Sequence, residues 1–149
     1  MCRNLLLTGW LYCCIAVAAG DPAMRSQVLP VDGESWTLRV PEGMTLELLT
    51  DRLDTPRLLT FLPNGDLLAG SRNGAIYRLA PPYRQPEVLV RLAGYPHSVA
   101  WRDGELLIAR TDGLYRAPYV PGQTRIAPET VRRLLALPGG GGHTSRTVA

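Results

Sequence analysis

One stretch of this chain occurs twice, and that repetition limits the folds open to it. The first copy, PRLLTFLPNGDLLAGSRNGAIYR, runs from Pro56 to Arg78; the second, PHSVAWRDGELLIARTDGLYR, runs from Pro96 to Arg116. The offset falls from 40 residues at the prolines to 38 at the tyrosines. Gly65 matches Gly104, Leu67-Leu68 match Leu106-Leu107, Gly74 matches Gly113, and Tyr77-Arg78 match Tyr115-Arg116. In each copy a short apolar run (Leu58–Phe61, Val99–Trp101) leads into a glycine turn (Asn64-Gly65, Asp103-Gly104) and a second apolar run. A second turn (Asn73-Gly74, Asp112-Gly113) then leads to a run ending in Tyr-Arg. Asn-Gly and Asp-Gly suit two-residue hairpin turns because both residues tolerate positive φ. Short apolar runs between such turns predict strands, and the chain is expected to be all-β.

Fourth strands are predicted at Glu87–Leu92 and Val131–Leu137. Four short strands joined by tight turns, repeated at a period near 40, describe a blade of a β-propeller. A third copy begins at Gly142-His143-Thr144-Ser145-Arg146-Thr147-Val148-Ala149. The 149 residues then hold about two and a half blades, where closure takes at least about four. The expected architecture is therefore an incomplete, N-terminal part of a propeller. Two alternatives stand beside it: an ordinary antiparallel meander, and a half-propeller that assembles with itself. A short helix over Glu129–Leu137, with Val131, Leu134 and Leu135 on one face, competes with the last strand.

The N-terminus has the pattern of an export signal. Arg3 precedes an almost wholly apolar run from Leu5 to Ala19, and the small residues Ala16–Gly20 follow, giving cleavage after Ala18 or Gly20. Residues 1–20 are read as that signal, and the alternative is a retained membrane anchor. Export predicts a periplasmic or secreted protein with no membrane span after cleavage. Cys2, Cys13 and Cys14 are all the cysteines and all lie in the signal, so the mature chain would hold neither disulfide nor thiolate metal site. Residues 21–35 show little pattern and are read as a linker. Strands are expected at Trp36–Val40 and Met44–Leu49, and the propeller part is placed at 36–149. The net charge is +3, carried on scattered arginines because the chain has no lysine. Without a basic stripe interleaved with aromatics, nucleic acid is not an expected partner.

His143 is the chemical candidate. It follows Gly139-Gly140-Gly141-Gly142, a run that lets a ligand or another backbone approach closely. A neutral imidazole there can accept a proton near pH 7, since its ordinary pKa is about 6.5. A flexible surface loop with an incidental histidine is the other reading. The passages Val40–Gly43, Leu62–Leu67 and Asn73–Arg78 resemble the start of the glucose/sorbosone dehydrogenases. Leu137–Val148, LPGGGGHTSRTV, resembles that family's segment around its catalytic histidine, most closely in sorbosone-dehydrogenase-like members. The resemblance covers Trp36 to the end of the chain. The Pro-x-Gly-Asp-Leu turn is common to many propellers; the glycine run with His-x-x-Arg is the more specific part.

That resemblance implies a soluble six-bladed propeller using pyrroloquinoline quinone and calcium. His143 would be the general base for a sugar or alcohol hydroxyl, with hydride passing to the quinone and on to an electron acceptor. Arg146 matches a family arginine near that histidine, and a structural role, pairing or capping the strand start, is expected of it beside possible cofactor contact. His97, in the corresponding place of the preceding repeat, is a second candidate for cofactor contact or for a channel-facing position without chemistry. The family's cofactor-contacting glutamine has no counterpart here, the nearest being Gln85. Its carboxylate-binding cations and calcium ligands belong to later blades. The expectation is thus the N-terminal portion of a quinone-dependent sugar dehydrogenase, inactive by itself; the alternative is a non-catalytic propeller that binds a sugar or a protein. A lactonase-like metal propeller would need acidic ligands in the channel. No Gly-x-Ser-x-Gly, cysteine pair or phosphate loop points elsewhere.

Overall fold

A computed structural model describes residues 21–139 and 145–149. The export-signal segment 1–20, together with Gly140, Gly141, Gly142, His143 and Thr144, lies outside the described residues. The described chain is all-β, with ten strands and one short 3-10 turn at Pro128–Thr130. No helix among the described residues is long and apolar enough to cross a membrane.

Two four-stranded antiparallel sheets carry the repeats. The first is a meander of β3 (Pro56–Phe61), β4 (Leu67–Ser71), β5 (Ala75–Leu79) and β6 (Pro86–Arg91). The second repeats that order with β7 (Ser98–Arg102), β8 (Glu105–Arg110), β9 (Gly113–Pro118) and β10 (Arg132–Ala136). The registers correspond as well. Leu68 pairs with Arg78, Ala69 with Tyr77 and Gly70 with Ile76; in the second sheet Leu107 pairs with Arg116, Ile108 with Tyr115 and Ala109 with Leu114. Each repeat position therefore points to the same side of its own sheet. Between β7 and β8 the turn residues Asp103 and Gly104 take φ of 51° and 82°, the pair of positive angles that a tight hairpin requires. The competing helix does not form: past the 3-10 turn, residues 132–136 pair with β9.

Two expectations for the N-terminal part are corrected. Residues 21–35 are not a patternless linker, because β1 (Met24–Val31) pairs along its whole length with β2 (Glu34–Pro41). The turn is again Asp-Gly, with Asp32 and Gly33 at φ 52° and 80°. Met44–Leu49 forms no strand. Side chains meet its backbone instead: Gln27 donates to the Leu46 carbonyl (2.6 Å) and accepts from the Leu46 N–H (3.1 Å), while Arg25 donates to the Met44 carbonyl (2.6 Å). Side-chain partners take the place of a ladder there.

The main core lies between the two sheets. Leu62, Leu68, Ile76, Leu89 and Val90 of the first meet Val99, Leu106, Ile108, Ala117, Tyr119 and Ile126 of the second. The far side of the first sheet (Leu67, Ala69, Ala75, Tyr77, Leu79) packs on Leu49, Leu53 and Tyr83. Backbone contacts stitch the sheets together. The Ile126 N–H donates to the Leu89 carbonyl at 2.7 Å and the Leu58 N–H to the His97 carbonyl at 3.3 Å. The Thr60 hydroxyl donates to the Val99 carbonyl at 2.6 Å. β4 lies so close to the start of β7 that a Cβ on Gly70 would stand 2.5 Å from the Pro96 carbonyl oxygen; glycine is required there for space rather than for φ.

A buried ion pair joins the sheets at one end. Asp66, 2% exposed, accepts from Arg78 Nε (2.7 Å), Arg78 Nη2 (2.9 Å), Asn64 Nδ2 (2.8 Å) and, from the loop between β9 and β10, the Gly122 N–H (3.1 Å). Burial pushes the Asp66 carboxyl up, but the hydrogen bonds and charge of Arg78, with Asn64 and Gly122, outweigh it and hold the group below its ordinary value. Arg78 is shifted up, by its bond to Asp66 against burial and with help from Glu87 at 2.5 Å. Tyr119, wholly inside the core, has its hydroxyl pushed up to about 12, mainly by burial.

Candidate functional site

Antiparallel order brings the starts of β3 and β7 to the same end as the β4–β5 and β8–β9 turns. That end lies opposite the Asp66–Arg78 pair. The chain returns to it a third time. Ser98 accepts from the Val148 N–H (3.2 Å) and donates to the Val148 carbonyl (3.1 Å), so residues 145–149 lie along β7. β7 itself lies along β3 in a like manner, through Leu58 to His97 and Thr60 to Val99. The segment read as a third repeat is thus seated where a third inner strand would run.

This seating sets the correspondence among the three starts. Leu58 faces His97, and Ser98, the repeat equivalent of Leu58, faces Val148; by that seating Val148 takes in the third start the place that His97 has in the second. The sequence alignment matched His97 with His143 instead.

His97 is buried, 7% exposed, and its backbone N–H donates to the Ala109 carbonyl at 2.9 Å. Its Nδ1 lies 3.0 Å from the Arg146 carbonyl oxygen. A carbonyl only accepts, so Nδ1 is the donor in this contact. The Arg146 guanidinium donates to the Pro138 carbonyl at 2.7 Å. The structure thus brings two of the three predicted site residues, His97 and Arg146, together through a main-chain contact. His143, three residues before Arg146, lies outside the described residues.

The sequence reading passed over the neighbours of His97. Tyr95 meets the His97 ring edge-on, with centroids 5.5 Å apart and planes at 75°. The guanidinium carbons of Arg57 and Arg72 lie 6.0 and 5.8 Å from the centre of the Tyr95 ring. Below Gly94 sits Arg110, stacked on Tyr115 at 4.2 Å and 3.4 Å from Asp112. Burial raises the Asp112 carboxyl, but the Tyr115 hydrogen bond (2.7 Å) and the Arg110 charge hold it below its ordinary value. The Tyr115 hydroxyl is shifted up by burial and by that same bond.

Among the described residues no group of three or more His, Cys, Asp or Glu side chains is arranged to hold a metal ion. Comparison with protein-family models, with curated proteins and with solved structures returned no match to this chain.

Proposed function

We propose that this chain is the N-terminal portion of a β-propeller dehydrogenase that oxidises a sugar or alcohol hydroxyl, with His143 as the general base. One observation supports the reading above the others: residues 145–149 lie on β7 much as β7 lies on β3, directly after the segment that carries His143. In this reading each four-stranded sheet is one blade, and six blades close the ring in the family. His143 takes the hydroxyl proton, while His97 and Arg146 hold the start of its strand. Export, by the pattern of residues 1–20, puts the protein in the periplasm or outside the cell.

Pyrroloquinoline quinone and calcium, implied by the family resemblance, would supply the hydride acceptor and its Lewis acid. The described residues do not form a site for them. The Nδ1 of His97 and the guanidinium of Arg146 are both engaged with main-chain carbonyls, and no metal-ligating group assembles among these residues. By the resemblance their main ligands would belong to further blades.

The test is a protein expressed from the reading frame with any downstream continuation, supplied with the quinone and calcium and assayed by dye reduction with aldoses and alcohols. His143→Gln should lower turnover by about 10²–10⁴-fold, the usual worth of a general base, while quinone binding stays. Undiminished turnover would remove the base assignment. A continuation that yields a folded protein without quinone binding would favour the sugar- or protein-binding propeller.

A further inference from the structure

The geometry points to an oxyanion-binding site at Arg57, Arg72 and Tyr95, independent of the dehydrogenase reading. The two arginines come from separate strands: Arg57 from the start of β3, and Arg72 from just past the end of β4. Both are exposed, and among the described residues neither makes an ion pair or a side-chain hydrogen bond. Two other arginines at this end are occupied: Arg110 by Asp112 and the Tyr115 ring, Arg146 by the Pro138 carbonyl. Asp54, the acid nearest in sequence to Arg57, accepts from the Asn73 amide (2.9 Å) and forms no ion pair with either arginine among the described residues.

What unites Arg57 and Arg72 is the Tyr95 ring, which both guanidiniums approach within 6.0 Å. The ring is itself held, edge-on against the buried His97 and followed by the buried Pro96. The Arg72 backbone is fixed too, its N–H donating to the Thr55 carbonyl at 3.1 Å. An aromatic face restrains a guanidinium without using its N–H donors. Two guanidiniums beside one ring, neither in an ion pair among the described residues, offer the charge and the N–H donors that carboxylate or phosphate oxygens accept. The ligand class is a small molecule bearing a carboxylate or a phosphate group.

The probes are succinate and inorganic phosphate, titrated separately at constant ionic strength into the 149-residue chain, with the Tyr95 and His97 ring resonances followed by NMR. Saturable shifts are expected with at least one probe, and the tighter of the two identifies the group recognised. Arg57→Gln and Arg72→Gln should each weaken that binding about tenfold, as the loss of one charge-assisted contact does. Both side chains are exposed, so the variants keep the fold, and unchanged ring resonances without ligand verify it. Shifts that do not saturate with either probe, or affinities unchanged in both variants, would overturn the site. Turnover plays no part in the readout, so the result is separate from the fate of the His143 assignment.

Discussion

Replacing Asp66 by alanine should destabilise this protein far more than the same change at Glu105, its counterpart in the second sheet. Asp66 is 2% exposed and accepts four hydrogen bonds, one of them from the loop between β9 and β10. Its removal leaves the Arg78 guanidinium, 11% exposed, with Glu87 alone, and leaves the Gly122 N–H without its acceptor. Breaking a buried pair costs about 3–5 kcal/mol, and the surviving Glu87 contact puts the expectation near the lower figure, about 3 kcal/mol. Glu105 pairs with Arg116 at 3.2 Å, but the two side chains are 39% and 48% exposed, and such pairs are worth about 0–1 kcal/mol. The assay is urea denaturation followed by the fluorescence of Trp101, whose indole N–H donates to the Tyr119 carbonyl within the sheet–sheet contact. The pH dependence gives an independent reading. Folding holds the Asp66 carboxyl below its unfolded value, so its contribution is complete above the unfolded carboxylate range near about 3.9 and is lost as pH falls through the lower folded value. Asp66→Ala should remove that part of the acid sensitivity. Replacing both Asp66 and Arg78 by leucine should recover much of the loss, because no buried charge is then left alone. Equal costs at Asp66 and Glu105, or a cost at Asp66 under about 1 kcal/mol, would refute the reasoning.

Two further outcomes follow from the way the sheets and the third start meet. Gly70→Ala would put a methyl 2.5 Å from the Pro96 oxygen and should cost about 1–3 kcal/mol in urea denaturation, whereas Ala109→Gly, at the matching position, should cost only about 0.5–1 kcal/mol. Ser98→Ala removes both bonds to Val148 and should raise the hydrogen-exchange rate of the Val148 amide about thirtyfold, at about 1 kcal/mol for each of the two bonds, and no change there would detach residues 145–149 from β7.

The strands of the two repeats were legible because each apolar run is bounded by a glycine turn whose backbone geometry the residues dictate. The first hairpin was equally marked and was passed over. Asp32-Gly33 has the chemistry of Asp103-Gly104, with Leu29 and Val31 before it and Trp36 and Leu38 after it, but it falls outside the repeat. Met44–Leu49 misled in the other direction, since apolar alternation says nothing of whether a neighbouring strand is there to pair with it. The site was less readable. The contact of His97 with Arg146 depends on how far the third start slides along β7, and a loop of different length shifts that register without a trace in the aligned letters. Tyr95, Arg57 and Arg72 converge from three separate segments, so no local window contains the cluster.

The two matched ion pairs also bear on what can cover the outer side of the second sheet. That side carries Ala100, Leu107, Leu114, Glu105 and Arg116, matching Thr60, Leu68, Ile76, Asp66 and Arg78 of the first, which the second sheet covers. Asp66 and Arg78 are buried because the second sheet lies over them, and the Gly122 N–H, inside the turn that the Gln123 N–H closes on the Val120 carbonyl, reaches Asp66 at 3.1 Å. Glu105 and Arg116 keep side chains 39% and 48% exposed. The same repeat positions are thus a sealed pair in the first sheet and an open one in the second, and any sheet laid over the second would have to bury Glu105 and Arg116 as Asp66 and Arg78 are buried, at a desolvation cost that only added hydrogen bonds could offset.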